Sequence, residues 1–312
     1  MKLNETTQFS PTKGNISSLL SMYELELVSY DLAKSGIENC TVLVTSTSGD
    51  FVLRVYRQDK KTDADILLEI DFARFLHENE LPIAVALPNV NGEYISHIQE
   101  SSATWQAILM IRSQGEHAKH YSELLISELA HVQARMHILA ANYHGSTDTH
   151  ELRVLREAHF IQLINDRTQL NNGSQHFIDR AEKYTVELDE QLPKGLCHLD
   201  FDNGNVLSQD DTITAILDFD DLMLAPYVVC LAYTLWDVYF DAGLQTVITY
   251  IRKYSDLRKP SELEKQFIVK IILFRHYVIG CKDIADNQMN DALLKRYLEM
   301  ENELLDPHNS LF

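Results

Sequence analysis

The segment LCHLDFDNGNVL at 196–207, followed by AILDFDD at 215–221, constrains the fold more than any other part of the chain. It sets His198, Asp200 and Asn205 in a polar loop that runs out into Val206 and Leu207. It then puts Asp218 behind an apolar run, at the end of a buried strand. Polar groups at the ends of short strands can converge on one point. Their types suit phosphoryl transfer, which needs positioning and charge neutralisation more than covalent chemistry. One carboxylate can accept the proton of an attacking hydroxyl. A second carboxylate and an amide oxygen can hold magnesium, a hard cation that prefers oxygen ligands.

The rest of the chain divides around this segment. Stretches 24–32, 41–46 and 51–57 carry alternating or β-branched apolar residues, and Thr47-Ser48-Gly49-Asp50 supplies a turn, so a hairpin is expected. Residues 63–78 read as a helix with Leu68, Phe72 and Phe75 on one stripe, and Asp63 and Asp65 suit its N-terminal end. Two further strands are expected near 93–98 and 104–111. At Arg112–His117 the pattern changes. Leu125, Leu129, Val132, Met136 and Leu139 then describe an amphipathic helix from Tyr121 to about Asn142. Helical patterns fill most of 150–190 and recur near 226–254, 261–284 and 288–304, with Pro260-Ser261-Glu262 as a start signal. The layout is α+β: a β-rich lobe over 1–112, a hinge near 112–118 and a mainly helical lobe over 113–312.

The pattern H-x-D-x-x-x-x-N-V-L, with apolar-D-F-D thirteen residues after Asn205, resembles the kinase-like small-molecule phosphotransferases. These include aminoglycoside phosphotransferases, choline kinases and type II homoserine kinases, and are related to protein kinases. The resemblance implies a two-lobed protein-kinase-like fold and ATP-dependent phosphorylation of a hydroxyl on a small molecule, with ATP and Mg2+. It makes Asp200 the catalytic base or hydroxyl-orienting carboxylate. Asn205 and Asp218 become the metal ligands, His198 a structural residue of the loop, and Asp220 a further metal contact or loop anchor. Arg54 stands where protein kinases place the phosphate-binding lysine, with Glu69 as its candidate partner. Adenine is expected near Met110 to Arg112, and Ser35 with backbone N–H groups over phosphate. Aspartate commonly opens the following helix in relatives and braces the catalytic loop; here Cys230 stands in that place. Either the brace is lost or Cys230 and Asp237 replace it. The Arg54 and Cys230 departures keep an alternative open, a catalytically weak or inactive nucleotide-binding protein.

Composition narrows the partners. With 46 acidic against 27 basic residues the formal net charge is −19, which argues against nucleic acid and leans towards a cationic acceptor. Cys40, Cys197, Cys230 and Cys281 are far apart, so neither a disulfide scaffold nor a thiolate zinc site is expected, and a cytoplasmic protein is. The first fifteen residues lack a signal-type apolar core, and Lys270, Arg275 and His276 interrupt the most apolar later stretch, so no membrane association is expected. His131 and His137 are six apart and do not share a helix face. Trp236, Tyr239 and Tyr233 read as core or as a wall of the acceptor pocket, and Glu299, Glu301 and Glu303 as a solvated face.

Overall fold

Alternation along two strands decides how the N-terminal part is layered. The computed structural model describes residues 9–33, 39–57, 61–100, 103–118, 120–145, 172–286, 288–309 and 311–312. The chain divides into two compact units, Met1–Gln114 and Gly115–Phe312. In the first, β1 (Leu27–Leu32), β2 (Cys40–Ser46), β3 (Gly49–Val55), β4 (Ala86–Leu87), β5 (Ser96–Glu100) and β6 (Ala103–Ile111) form one sheet. Its order is β1-β2-β3-β6-β4, with β5 also paired to β6 and every pairing antiparallel. The hairpin closes at Ser46 opposite Gly49, whose φ of 137° suits glycine.

Leu53, Val55, Ala107 and Leu109 share a buried cluster with Ile16, Leu19 and Leu20 of α1 (Lys13–Ser21). The intervening Ile108, with Tyr56 just past β3, joins Ile66 and Ile70 of α2 (Asp63–Glu78). The period of two along a strand thus places α1 on one face and α2 on the other. Arg54, between Leu53 and Val55 and paired with Ile108, is consequently on the α2 face. Helix α1 was not expected from the sequence. It is started by a capping box in which Thr12 Oγ1 accepts from Asn15 N (3.3 Å) and Thr12 N donates to Asn15 Oδ1 (2.7 Å). Asparagine replaces the Glu or Gln that usually marks this box. Thr62 and Asp65 make the equivalent box for α2.

The second unit holds α3 (Glu123–Ala140), α4 (Asn172–Lys183), α5 (Tyr227–Ala242), α6 (Leu244–Leu257), α7 (Glu262–Ala285) and α8 (Asp291–Leu305). Two small ladders complete it. One is β10 (Thr212–Ile216), β9 (Val206–Gln209) and β7 (Glu116–His117), in that order. The other pairs β11 (Leu222–Pro226) with β8 (Lys194–His198). Among the described residues no helix is long and apolar enough to cross a membrane. Of the helical stretch expected at 150–190, the part before 172 lies outside the described residues.

Two expectations are corrected. The stretch 226–254 is two helices, broken at Gly243 (φ 79°), whose N–H bonds the Tyr239 carbonyl at 2.8 Å. Glu301 is not solvated. It falls on the buried stripe of α8 with Tyr297, Met300 and Leu304, accepts a hydrogen bond from Tyr184 Oη (2.9 Å) and another from Tyr277, and pairs with Arg180. Trp236 belongs to the same core: its Nε1 donates to His276 Nδ1 at 3.2 Å, and His276 Nε2 donates to the Tyr297 carbonyl at 2.8 Å. Burial lowers the His276 pKa to about 4, so the ring is neutral, as its acceptor role towards Trp236 requires.

Candidate active site

Strand pairing brings the two motifs together. The loop after β8 and the turn before β11 are tied at both ends: His198 stands opposite Leu222 in the β8–β11 ladder, and Leu217 N donates to the Asn205 carbonyl at 2.8 Å. His198 adds a third tie, its Nε2 lying 2.8 Å from the Leu217 carbonyl. A carbonyl can only accept, so the ring proton is on Nε2. The ring packs edge-on against Phe219, with centroids 4.7 Å apart.

Within this frame Asn205 and Asp200 are in direct contact. Asn205 Nδ2 donates to both the carbonyl oxygen and Oδ2 of Asp200, each at 2.8 Å. With its amide hydrogens committed, Asn205 keeps Oδ1 as the atom able to coordinate a cation. Asp218 has φ 61° and ψ 76°, the left-handed region, and its Oδ1 accepts from Asp220 N at 3.2 Å. The donors on offer are carboxylate and amide oxygens on short, tied segments, a set that fits a hard divalent cation.

Further carboxylates stand around Asp200 that the sequence motifs did not single out. Asp202 Oδ1 caps the following turn through Gly204 N at 2.7 Å, and Asn203 Nδ2 donates to Asp241 Oδ2 at 2.9 Å. Burial, and then the neighbouring Asp200 charge, raise the Asp202 pKa. Asp237 on α5 is raised to about 7, first by burial, then against the opposing pull of Arg275, by Asp202, Asp200 and Asp241. Arg275 Nη2 lies 3.6 Å from Asp237 Oδ2, with the guanidinium over the Tyr233 ring. Burial and the charges of Asp241, Asp237 and Asp202 push the Tyr121 hydroxyl pKa upward. Of these residues the sequence singled out only Asp237, as a possible brace; the others were legible only as a net acidic balance, because α5 and the loop after β8 are distant in sequence.

Cys230 answers the question left by the missing aspartate. Its Sγ donates to the His198 carbonyl at 3.2 Å, so the start of α5 still holds the end of β8, where the polar loop begins, through a thiol. Asp237 pairs with Arg275 instead.

In the N-terminal unit, the Arg54 guanidinium lies 5.6 Å from the Tyr56 ring centroid. Glu69 is buried and ion-paired with Lys61, and it accepts from Tyr56 Oη at 3.3 Å. Lys61, two residues before α2, was not among the residues expected here. Met110 pairs with Val52 and Ala86, and Arg112 N donates to the Asp50 carbonyl at 3.1 Å. Ser35 lies outside the described residues.

Comparison with known proteins bears on the family and the fold. The homoserine kinase of Bradyrhizobium diazoefficiens is 25% identical over 259 residues, covering 80% of this chain and 77% of that protein. Among solved structures, an amicoumacin kinase superposes with a TM-score of 0.74 at 13% identity, covering 94% of this chain and 93% of the other. A microcompartment-associated aminopropanol kinase superposes with a TM-score of 0.68 at 16% identity, covering 96% and 100%. These likenesses establish the two-lobed α+β kinase-like fold. The model of the phosphotransferase enzyme family matches residues 30–264, three quarters of the sequence, and the chain belongs to that family as a small-molecule kinase with an alcohol group as acceptor.

Proposed function

We propose that the protein transfers the terminal phosphate of ATP to the hydroxyl of a small amino alcohol, with Mg2+ as the cation. The observation that carries the acceptor class is a set of carboxylates at this loop: Asp202 and Asp237 both feel the Asp200 charge, and Asn203 ties Asp241 to the same loop. Such a set attracts an ammonium group and places it beside the residue proposed to meet the hydroxyl. Relatives named homoserine kinase and aminopropanol kinase are in keeping with this. The amicoumacin kinase of similar fold was solved with AMP-PNP and Ca2+, which supports a nucleoside triphosphate and a divalent cation here. The free thiols of Cys40, Cys197, Cys230 and Cys281 suit a reducing, cytoplasmic setting.

Asp200 takes the role of orienting the acceptor hydroxyl and receiving its proton as the new P–O bond forms. Asn205 Oδ1 and Asp218 hold the cation, which when bound neutralises charge on the phosphates. Asn205 also fixes Asp200 through its two hydrogen bonds. His198 keeps the two turns in register, and Asp220 anchors Asp218 through its N–H. In the N-terminal unit Arg54 holds nucleotide phosphate and Glu69, locked by Lys61 and Tyr56, supports that strand, while Met110 to Arg112 and Ser35 contribute adenine and phosphate contacts.

The test is phosphate transfer from labelled ATP, with Mg2+, to matched acceptors: homoserine, 1-amino-2-propanol, choline and an aminoglycoside against glycerol and other neutral alcohols. Amino alcohols should have the higher kcat/KM. Equal turnover of the neutral partners would remove the acceptor assignment, and transfer to none of them would remove the amino-alcohol class altogether.

A further inference from the structure

Two cysteines that no spacing motif links meet a histidine in the core of the C-terminal unit. Cys197 is the residue before His198 on β8, Cys230 lies in the first turns of α5, and His137 in the last turn of α3. One ligand atom from each, a ring nitrogen and two sulfurs, lies within 4.8 Å of the other two, and among the described residues no other such group occurs. All three side chains are 1% exposed.

The imidazole is arranged as ligating histidines are. His137 Nδ1 lies 2.6 Å from Tyr254 Oη, and Tyr254 Oη accepts from Arg258 Nη1 at 3.0 Å. The other nitrogen, Nε2, is buried and has no oxygen or nitrogen partner; what the ring meets on the other side is the Cys230 thiol. Metal-bound histidines characteristically give one ring nitrogen to an oxygen and the other to the cation. A thiol is a weak partner for a buried ring nitrogen, which in a dry core is otherwise a cost to the fold.

The two thiols meet each other, Cys230 meets His137, and their remaining contacts are weak. Cys230 Sγ receives Gln133 Nε2 at 3.5 Å and faces the His198 carbonyl, and Cys197 Sγ lies 3.6 Å from the Ala225 carbonyl. A tetrahedral cation with thiolate and imidazole bonds of about 2.3 and 2.1 Å keeps its donors about 3.5–3.8 Å apart. An inward shift of about 1 Å or less would therefore close the set around such a cation. Thiolates and imidazole select zinc-type cations over magnesium. Two thiolates and one dication sum to zero charge, which a dry core tolerates far better than a net charge.

We propose that His137, Cys197 and Cys230 form a binding site for a zinc-type divalent cation, distinct from the oxygen-lined site at Asp200, Asn205 and Asp218. Binding makes two metal–sulfur bonds and one metal–nitrogen bond and releases the two thiol protons to solvent, with no change of oxidation state. Because Cys197 immediately precedes His198, the cation would pin the base of the catalytic loop to α3 and α5.

The full chain, purified with a reductant and stripped by a chelator, is unfolded and refolded with Co2+ as a spectroscopic stand-in and, separately, with Zn2+. One Co2+ per chain should bind with the intense near-ultraviolet absorption of thiolate ligation. One Zn2+ should displace it, and two protons should be released. Zn2+ at a hundred times its Kd should raise the Tm by about 5–10 °C. Cys197→Ser and Cys230→Ser should each lose about half or more of the thiolate absorption, and His137→Gln should weaken binding about 10-fold or more. Cys40→Ser and Cys281→Ser should leave the absorption unchanged. The wild-type chain alone can overturn the proposal: cobalt bound without the thiolate absorption, or none bound, rejects it whether or not the variants fold. Absorption lost in Cys40→Ser or Cys281→Ser but kept in Cys197→Ser and Cys230→Ser rejects it equally.

Discussion

Asn205 holds Asp200 twice through one nitrogen, Nδ2 reaching both the main-chain oxygen and Oδ2 of the aspartate at 2.8 Å. The asparagine is therefore a positioning group for Asp200 as well as a proposed ligand. Asn205→Asp keeps an oxygen for the cation but removes both donors and sets one carboxylate against another. It should lower kcat about 10²-fold even at saturating Mg2+, since misplacement of a reacting group is worth that much. A steady-state Mg2+ titration reads the result; full recovery at high Mg2+ would show that ligation alone mattered.

Asp200→Asn tests the acceptor side. The amide fills the same space but cannot take a proton, so turnover should fall about 10²–10⁴-fold while the nucleotide Kd stays near that of the wild type. Stopped-flow turnover and nucleotide titration on the same preparation separate the two. Wild-type turnover in this variant would remove the role given to Asp200.

Asp237 makes a prediction about stability. Its pKa is raised to about 7, chiefly by burial, whereas an unfolded aspartate titrates near 4. Between those values the folded chain binds more protons than the unfolded one. Its contribution is thus fully present below about pH 4 and lost as pH rises to about 7. Asp237→Asn should remove a slope of up to about 1.4 kcal/mol per pH unit across this window. Urea unfolding at several pH values measures it; parallel curves for the two proteins would mean that Asp237 is ionised throughout.

Gly280 on α7 has no room for a side chain. A Cβ there would stand 2.4 Å from the Phe177 ring and 3.1 Å from Tyr297. Gly280→Ala should destabilise the protein by about 1–3 kcal/mol despite the better helix propensity of alanine. Denaturant unfolding decides the sign, and a gain in stability would mean that α4 can move away from α7 at little cost.

The sequence disclosed the parts of this molecule governed by local rules. Alternation gave β2 and β3, the stripe of Leu68 and Phe72 gave α2, and the two polar turns meet because β8 and β11 pair at His198 and Leu222. What escaped notice depends on tertiary placement or on small local signals. Helix α1 starts on an asparagine box, and one glycine with a positive φ splits α5 from α6. Glu301 looks like a surface charge until its stripe is seen to face Tyr184 and Tyr277. The acid set around Asp200 and the meeting of Cys197 with Cys230 join residues dozens of positions apart, for which no periodicity exists to be read.

The left-handed backbone at Asp218 has a consequence for how such a chain ages under selection. An L-residue in that conformation carries about 1 kcal/mol of strain that glycine escapes, and asparagine tolerates the conformation as readily as aspartate does. Asp218→Asn should thus fold as well as the wild type while needing far more Mg2+ for nucleotide binding, and Asp218→Gly, which escapes the strain but loses the cap on Asp220 N, should be inert yet about as stable. Copies released from the need to turn over substrate would lose little by drifting to glycine at this one position, so a lineage that had lost its chemistry would betray itself there first.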